Sequence, residues 1–462
     1  MRLKLAIPIA LLLAASCTAP KNQAELSGQF FNLKAPFAMI ENLGINDTLF
    51  VDSIGHFSTK VNISEPTYFT LIAGNSYNTI ILSPGDKLTV SIDINNPAEG
   101  VVFGGKAARK NEVILSVDSI FGGVMEDHVA FFSLNGDALL LKLDTLRSNA
   151  LEVLSGGAVA NDAFNKLEEA RIHYRILELR HQYVSYHPRV MGLAPSPSRD
   201  GYKFMDEVDF NNEGHLAIPN YRTLVGMDIE HRLWGEILKL GEIEDWRKES
   251  KRLYNILIDS LVPNTSIAEY LRFDNTSMGM IFSSLEVAQE LAQDFTARSS
   301  NPKYQKEVAA ILARRMLLAP GKPAPNFSLT AIDGSTYTLA DFKGKLVYID
   351  FWSTWCGPCR MEIPHLKKVK EAYEGKPIAF VAISLDTDKA AWEEFVAKEG
   401  LTGYQFNDDA GWWSSAAQSY QVRGVPTFVL IDAEGNIIQY NAPRASDPKL
   451  AELLDEHLAR ML

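Results

Sequence analysis

Cys356 and Cys359 stand two residues apart in Trp355-Cys-Gly-Pro-Cys359, and their flanks restrict what this part of the chain can become. Ahead of them, Leu346-Val-Tyr-Ile-Asp-Phe351 is a β-branched and aromatic run that reads as a buried strand. Behind them, Ile363, Leu366, Val369 and Tyr373 recur at helical spacing. The pair therefore lies where a strand hands over to a helix. There the first sulfur meets backbone N–H donors and the positive end of the helix dipole. That lowers the pKa of the Cys356 thiol and makes it a nucleophile near neutral pH. Two cysteines at this spacing can also close a small disulfide ring.

The third cysteine, Cys17, has a different setting. Arg2 and Lys4 precede an apolar stretch from Leu5 to Ala15, which is too short to span a bilayer. The stretch ends in Leu13-Ala-Ala-Ser-Cys17 and resembles a bacterial lipoprotein signal, although Ala14 stands where Leu is more common. The resemblance implies removal of residues 1–16 and lipidation of Cys17; the alternative is an ordinary secretory peptide cleaved nearby. Both readings place the protein outside the cytosol, in the cell envelope and facing the periplasm if it is lipid-anchored. With Cys17 acylated, no structural disulfide competes with the remaining pair. In an oxidising compartment a lone pair of this kind reads as redox-active.

A chain of 462 residues is too long for one core and suggests about three domains. Its net charge of −12, without a basic block, argues against nucleic acid as a partner. Residues 24–105 read as all-β, with strand-like runs such as Phe57–Ile63, Tyr68–Ile72 and Lys87–Ile94 between turn signals. Their spacing suggests an antiparallel sandwich or open barrel. From 106 to 318 the pattern becomes helical, interrupted by an irregular stretch from Leu193 to Pro219. The histidines there have no metal-ligand spacing. A Pro-rich linker from Ala319 to Pro325 opens a final α/β domain, 320–462. It begins with a hairpin turning at Asp333-Gly334, and alternating strands and helices follow. The fold class expected is thus multidomain: a β sandwich, a helical middle and an α/β C-terminal domain.

That final domain resembles the thioredoxin fold, and more narrowly the membrane-tethered thiol-disulfide oxidoreductases of the TlpA and cytochrome-maturation type. The resemblance is carried by Gly321-Lys-Pro-Ala-Pro-Asn-Phe327, by Asp350-Phe-Trp-Ser-Thr-Trp-Cys-Gly-Pro-Cys359, and by Gly424-Val-Pro-Thr427. It implies that Cys356 attacks a partner's disulfide and that Cys359 resolves the mixed disulfide. Pro426 matches the cis-proline facing the active pair, so the Val425 backbone would meet an extended substrate segment. Pro364 matches the proline that kinks the active-site helix. Asp350 matches the buried aspartate of thioredoxin, and Glu362 matches the active-site glutamate of the cytochrome-maturation type. The two compete for the proton-transfer role. Trp355 shields the disulfide and contacts partners, or simply packs; Trp412-Trp413 fills core. The resemblance further implies no cofactor beyond the cysteine pair, disulfide-containing envelope proteins as clients, and a membrane thiol transporter as electron donor.

Three other readings compete. A peroxidase of the peroxiredoxin type needs Thr-x-x-Cys, and Thr354-Trp-Cys356 has the wrong spacing. A binding or scaffold lipoprotein would place its function in the first two thirds of the chain. A zinc site at Cys356 and Cys359 would need further ligands, and His365 and His457 lack motif spacing.

Overall fold

A computed structural model describes residues 22–461, apart from 34, 36, 44, 75, 97–99, 158, 160, 195–198 and 241–245. Cys17 and residues 1–16, the expected leader, lie outside the described residues. No described helix is long and apolar enough to cross a membrane.

The chain opens with β1 (Gln23–Phe31), β2 (Phe37–Asn42), β3 (Ile45–Phe50), β4 (His56–Asn62), β5 (Thr67–Ala73), β6 (Ser76–Leu82), β7 (Lys87–Asp93) and β8 (Val101–Gly104). Among the described residues these make two four-stranded sheets, ordered β4-β1-β7-β8 and β3-β2-β5-β6. Leu26, Phe30, Ile40, Leu71, Ile80 and Val90 belong to the core they share. The pairing is antiparallel except between β1 and β7, which run parallel, a departure from the all-antiparallel expectation. In that pair Gly28 lies opposite Val90, and a Cβ at Gly28 would fall 1.7 Å from the Val90 carbonyl oxygen. The close approach therefore demands glycine, a residue that otherwise weakens a strand.

The helical region comprises α1 (Ala108–Glu126), α2 (His128–Phe132), α3 (Gly136–Gly156), α4 (Asp162–Val190), α5 (Pro219–Ile237), α6 (Trp246–Leu261), α7 (Thr265–Phe282), α8 (Leu285–Arg298) and α9 (Pro302–Met316). The interruption between α4 and α5 holds two short 3₁₀ turns, Arg199–Glu207 and Glu213–Ala217. Asn135, Asn161, Asn264, Ser284 and Asn301 cap five of the helices by accepting backbone N–H groups. The β domain is joined to this region by polar groups that replace missing backbone partners. Asn111 of α1 is buried and bonds both the N–H (2.8 Å) and the carbonyl (3.1 Å) of Ile81 in β6. The hydroxyl of Tyr68 donates to Glu168, which Arg171 holds through two nitrogens while also reaching Asp118 at 2.6 Å.

The last third continues with β9 (Ser328–Thr330), β10 (Thr336–Thr338), β11 (Leu346–Trp352), α10 (Gly357–Ala372), β12 (Ile378–Ser384), α11 (Lys389–Glu399), β13 (Tyr404–Asn407), α12 (Ser415–Ser419), β14 (Thr427–Ile431), β15 (Ile437–Tyr440) and α13 (Lys449–Ala459). β9 and β10 form the expected hairpin. A five-stranded sheet has the order β13-β12-β11-β14-β15. β11, β12 and β13 are parallel, whereas β14 pairs antiparallel with β11 and β15 antiparallel with β14. One sheet face packs Val347, Ile349 and Phe351 with Phe327, Phe406 and Tyr420. The other packs Tyr348, Phe428 and Leu430 with Leu450 and Leu454 of α13.

This domain is joined to both preceding regions. Trp413 is buried, as expected of a core-filling residue, and the core it fills lies against the β domain: its indole N–H donates to Gly74 O at 2.5 Å, and its ring meets Phe37 edge-on at 5.3 Å. On the helical side the buried Arg315 donates to the carbonyls of Met280 (2.9 Å), Ile281 (2.6 Å) and Ser283 (2.7 Å) and lies over Tyr440 of β15. These carbonyls end α7, where helical partners run out and the dipole is negative, so a guanidinium fits without a carboxylate. Asn441 adds bonds to Ile281 O (3.3 Å) and Ser283 O (3.0 Å). Replacing Arg315 by alanine orphans several buried carbonyls and should cost about 2–4 kcal/mol. Urea denaturation should show a lower midpoint for Arg315→Ala. Lysine should recover only part of the loss, because one ammonium cannot span the three acceptors as the guanidinium fork does.

Candidate functional site

All seven residues of β11 are buried, because the strand lies between β12 and β14 with both sheet faces covered. Its C-terminal end delivers the chain to the cysteines. The turn there is tied down by Asp386, only 4% exposed, in the loop after β12. The Asp386 carboxylate accepts from the Thr354 N–H (2.9 Å), the Thr354 hydroxyl (2.8 Å) and the Ser384 hydroxyl (2.5 Å). Leu385 N–H also bonds Trp352 O at 2.9 Å. Sequence reasoning missed Asp386; in Ser384-Leu-Asp-Thr-Asp388 its only signal is resemblance to a helix-capping turn.

Cys356 is the N-cap of α10, and its sulfur accepts the Cys359 N–H at 3.1 Å. Pro358 occupies the first turn, where its missing N–H costs nothing. The two sulfurs are joined as a disulfide. Both cysteines are buried, with Trp352, Trp392 and Val396 in the surrounding cluster. Trp355 is 60% exposed, with the Trp412 ring 6.3 Å away. The Val425–Pro426 peptide is cis, and the Val425 carbonyl oxygen lies 3.6 Å from Cys356 Sγ. Pro364 lies inside α10. The structure thus brings Cys356, Cys359, Val425 and Pro426 together, with Trp355 at the rim.

The two carboxylates differ in their surroundings. Asp350 and Cys359 line the same small cavity, about 30 Å³, shared with Tyr348, Ile363 and Lys370. That volume holds about one water. Asp350 Oδ1 is buried without a hydrogen-bond partner. Burial pushes the Asp350 carboxyl up to about 7; nearby Lys370 opposes the shift and Glu362 reinforces it. Burial lowers the pKa of Lys370, whose ammonium donates to Thr402 O at 2.6 Å. Glu362 is also buried, but it accepts from Ser446 N–H (2.9 Å) and Ser446 Oγ (2.8 Å). It ties α10 to the segment before α13 and does not line the cavity beneath Cys359.

A cysteine pair capping a helix, a facing cis-proline and this strand order define a thioredoxin-like domain built for thiol chemistry. The Redoxin family model matches residues 319–454. Thiol-disulfide oxidoreductase ResA of Bacillus thuringiensis is 34% identical over 141 residues, covering 30% of this chain and 78% of that protein. ResA of Geobacillus kaustophilus is 33% identical over 122 residues, covering 26% and 68%. Among solved structures, a thiol-disulfide oxidoreductase from Bacteroides fragilis is 32% identical and covers 29% of this chain and all of its own, with a TM-score of 0.27. The thioredoxin domain of a Bacteroides vulgatus thiol-disulfide oxidoreductase is 28% identical, with coverage of 30% and 99% and a TM-score of 0.29. Through its C-terminal domain the chain belongs to the thiol-disulfide oxidoreductase family, and it is an oxidoreductase.

The buried carboxyl sets a pH dependence. Between the ordinary carboxylate range and about 7, native Asp350 holds a proton that the unfolded chain has released. Stability therefore falls as pH rises through that window and levels off above it. Asp350→Asn should remove this contribution to the fall. Its urea midpoint should match the parent near pH 4 and exceed it at pH 8.

Proposed function

We propose that the Cys356–Cys359 pair reduces disulfides of partner proteins in the cell envelope, with Cys356 as the attacking thiol. The observation that carries this reading is the position of the Cys356 sulfur. It caps α10, accepts the Cys359 N–H and adjoins the Val425 carbonyl beside the cis-proline. Backbone donors there favour a thiolate.

In the reduced protein, Cys356 thiolate attacks one sulfur of the partner's disulfide. A Cys356–partner bond forms, and the other partner sulfur leaves as thiolate and takes a proton. Cys359 then loses its proton and attacks Cys356; the second partner sulfur departs, and the protein is left oxidised. Two electrons pass to the partner in all. The Val425 backbone and Pro426 would hold the partner's extended segment, and Trp355 would contact it. Asp350 is the base assigned to Cys359, because the two share a cavity with room for one bridging water and the carboxyl titrates near neutrality. Glu362, occupied by Ser446, is assigned to holding α10 in place. The leader sequence supports lipid attachment at Cys17, and an oxidised pair would be recharged by a membrane thiol transporter.

Mixed-disulfide trapping tests the cysteine roles. Cys359→Ala should accumulate a partner-linked species through Cys356 that dithiothreitol releases, whereas Cys356→Ala should accumulate none. Trapping through Cys359 instead would contradict the assignment. The reduction potential tests the direction of transfer. The Gly-Pro dipeptide is that of thioredoxin, so the value should lie near thioredoxin's, about −270 mV; one above about −180 mV would contradict a reductase.

A further inference from the structure

The helical region sets an aromatic ring against the loop that precedes the cis-proline. Phe282, the last residue of α7, is 53% exposed although it is large and apolar. Its ring lies against Gly424, where a Cβ would stand 2.8 and 3.0 Å from two ring carbons, Cε1 and Cζ. Gly424 is followed by Val425, whose carbonyl oxygen adjoins the Cys356 sulfur. Absence of a side chain at Gly424 is what lets the ring take this place.

The ring is not left to swing freely on a loose segment. Carbonyls on both sides of it, Ile281 O and Ser283 O, are gripped by Arg315 and Asn441. An apolar ring held half in water gains free energy when a partner covers it. That loop adjoins the Cys356 sulfur through the Val425 carbonyl, so a polypeptide bringing a disulfide to Cys356 would meet it. Trp355, 60% exposed, adds a second aromatic side chain beside the cysteines, with the Trp412 ring 6.3 Å away.

We propose that Phe282 is a specificity-determining residue, forming one wall of the groove that receives the partner polypeptide. The occupant is an extended segment with an aromatic or large apolar residue beside its cystine. This deepens the exchange reading above and depends on it. The helical region is then part of the substrate site.

The test uses the reduced full-length protein in single turnovers, followed by tryptophan fluorescence, with two cyclic disulfide peptides. They differ only in carrying Phe or Gly beside one cysteine. Wild type should reduce the Phe peptide roughly tenfold faster, the order expected for one aromatic contact. Phe282→Ala should bring the ratio close to one, and Phe282→Leu should keep part of it. The readout is a ratio of two rates within one protein, which a general loss of activity or stability does not move. Gly424→Ala keeps the Phe282 side chain but puts a methyl where its ring lies, and it should lower the ratio similarly; it carries the test if Phe282→Ala does not fold. A wild-type ratio near one, or a ratio unchanged in the variants, would overturn the proposal. Failure of the wild type to reduce either peptide or hydroxyethyl disulfide would instead overturn the exchange reading beneath it.

Discussion

Burial of β11 on both sheet faces is the constraint from which the site follows. A strand that must be apolar throughout still carries one carboxyl, Asp350, and its desolvation moves that group's titration toward neutral pH. The same strand ends where α10 begins, so its direction aims the first sulfur at the helix's unpaired N–H groups. Asp386 then fixes the turn between them by accepting both Thr354 donors. Helix-capping sulfur, buried acid and tied-down turn are thus consequences of a single central strand and the elements hydrogen-bonded to it.

The preceding regions are joined to this domain by contacts of distinct chemistry. Arg315 meets the negative end of α7, Trp413 reaches the backbone of the β domain, and the Tyr68–Glu168–Arg171 cluster joins the first two regions. Each places a polar group in a dry setting with its partners supplied, where an unmatched group would be expensive. The cysteine pair therefore sits within a larger assembly, and the loop before the cis-proline touches Phe282, far upstream in sequence.

Legibility of the sequence varied with how local the determinant was. β11, α10 and the pair between them follow from hydrophobic periodicity, so the outline of the C-terminal domain is legible in the sequence. The sandwich was readable from turn spacing, but β1 and its parallel pairing were not, because Gly28 breaks the strand pattern for the sake of Val90's backbone. Asp386 escaped notice because its role depends on a turn that comes from another strand. Trp413 fills core as its type suggests, but its contact with the β domain is not legible, and neither is the Ser446 that holds the buried Glu362 carboxylate. In these cases the decisive neighbour is remote in sequence, where residue type and spacing carry no information.

The most direct test of the account is which thiol reacts first. Brief iodoacetamide treatment of the freshly reduced protein at pH 7, followed by peptide mapping, should find Cys356 modified and Cys359 largely untouched. The helix cap and the approach beside Val425 favour the first sulfur, while Cys359, one turn into the helix, is buried and lines the small cavity it shares with Asp350. Equal labelling, or labelling of Cys359 first, would contradict the central claim that this fold prepares Cys356 as the nucleophile.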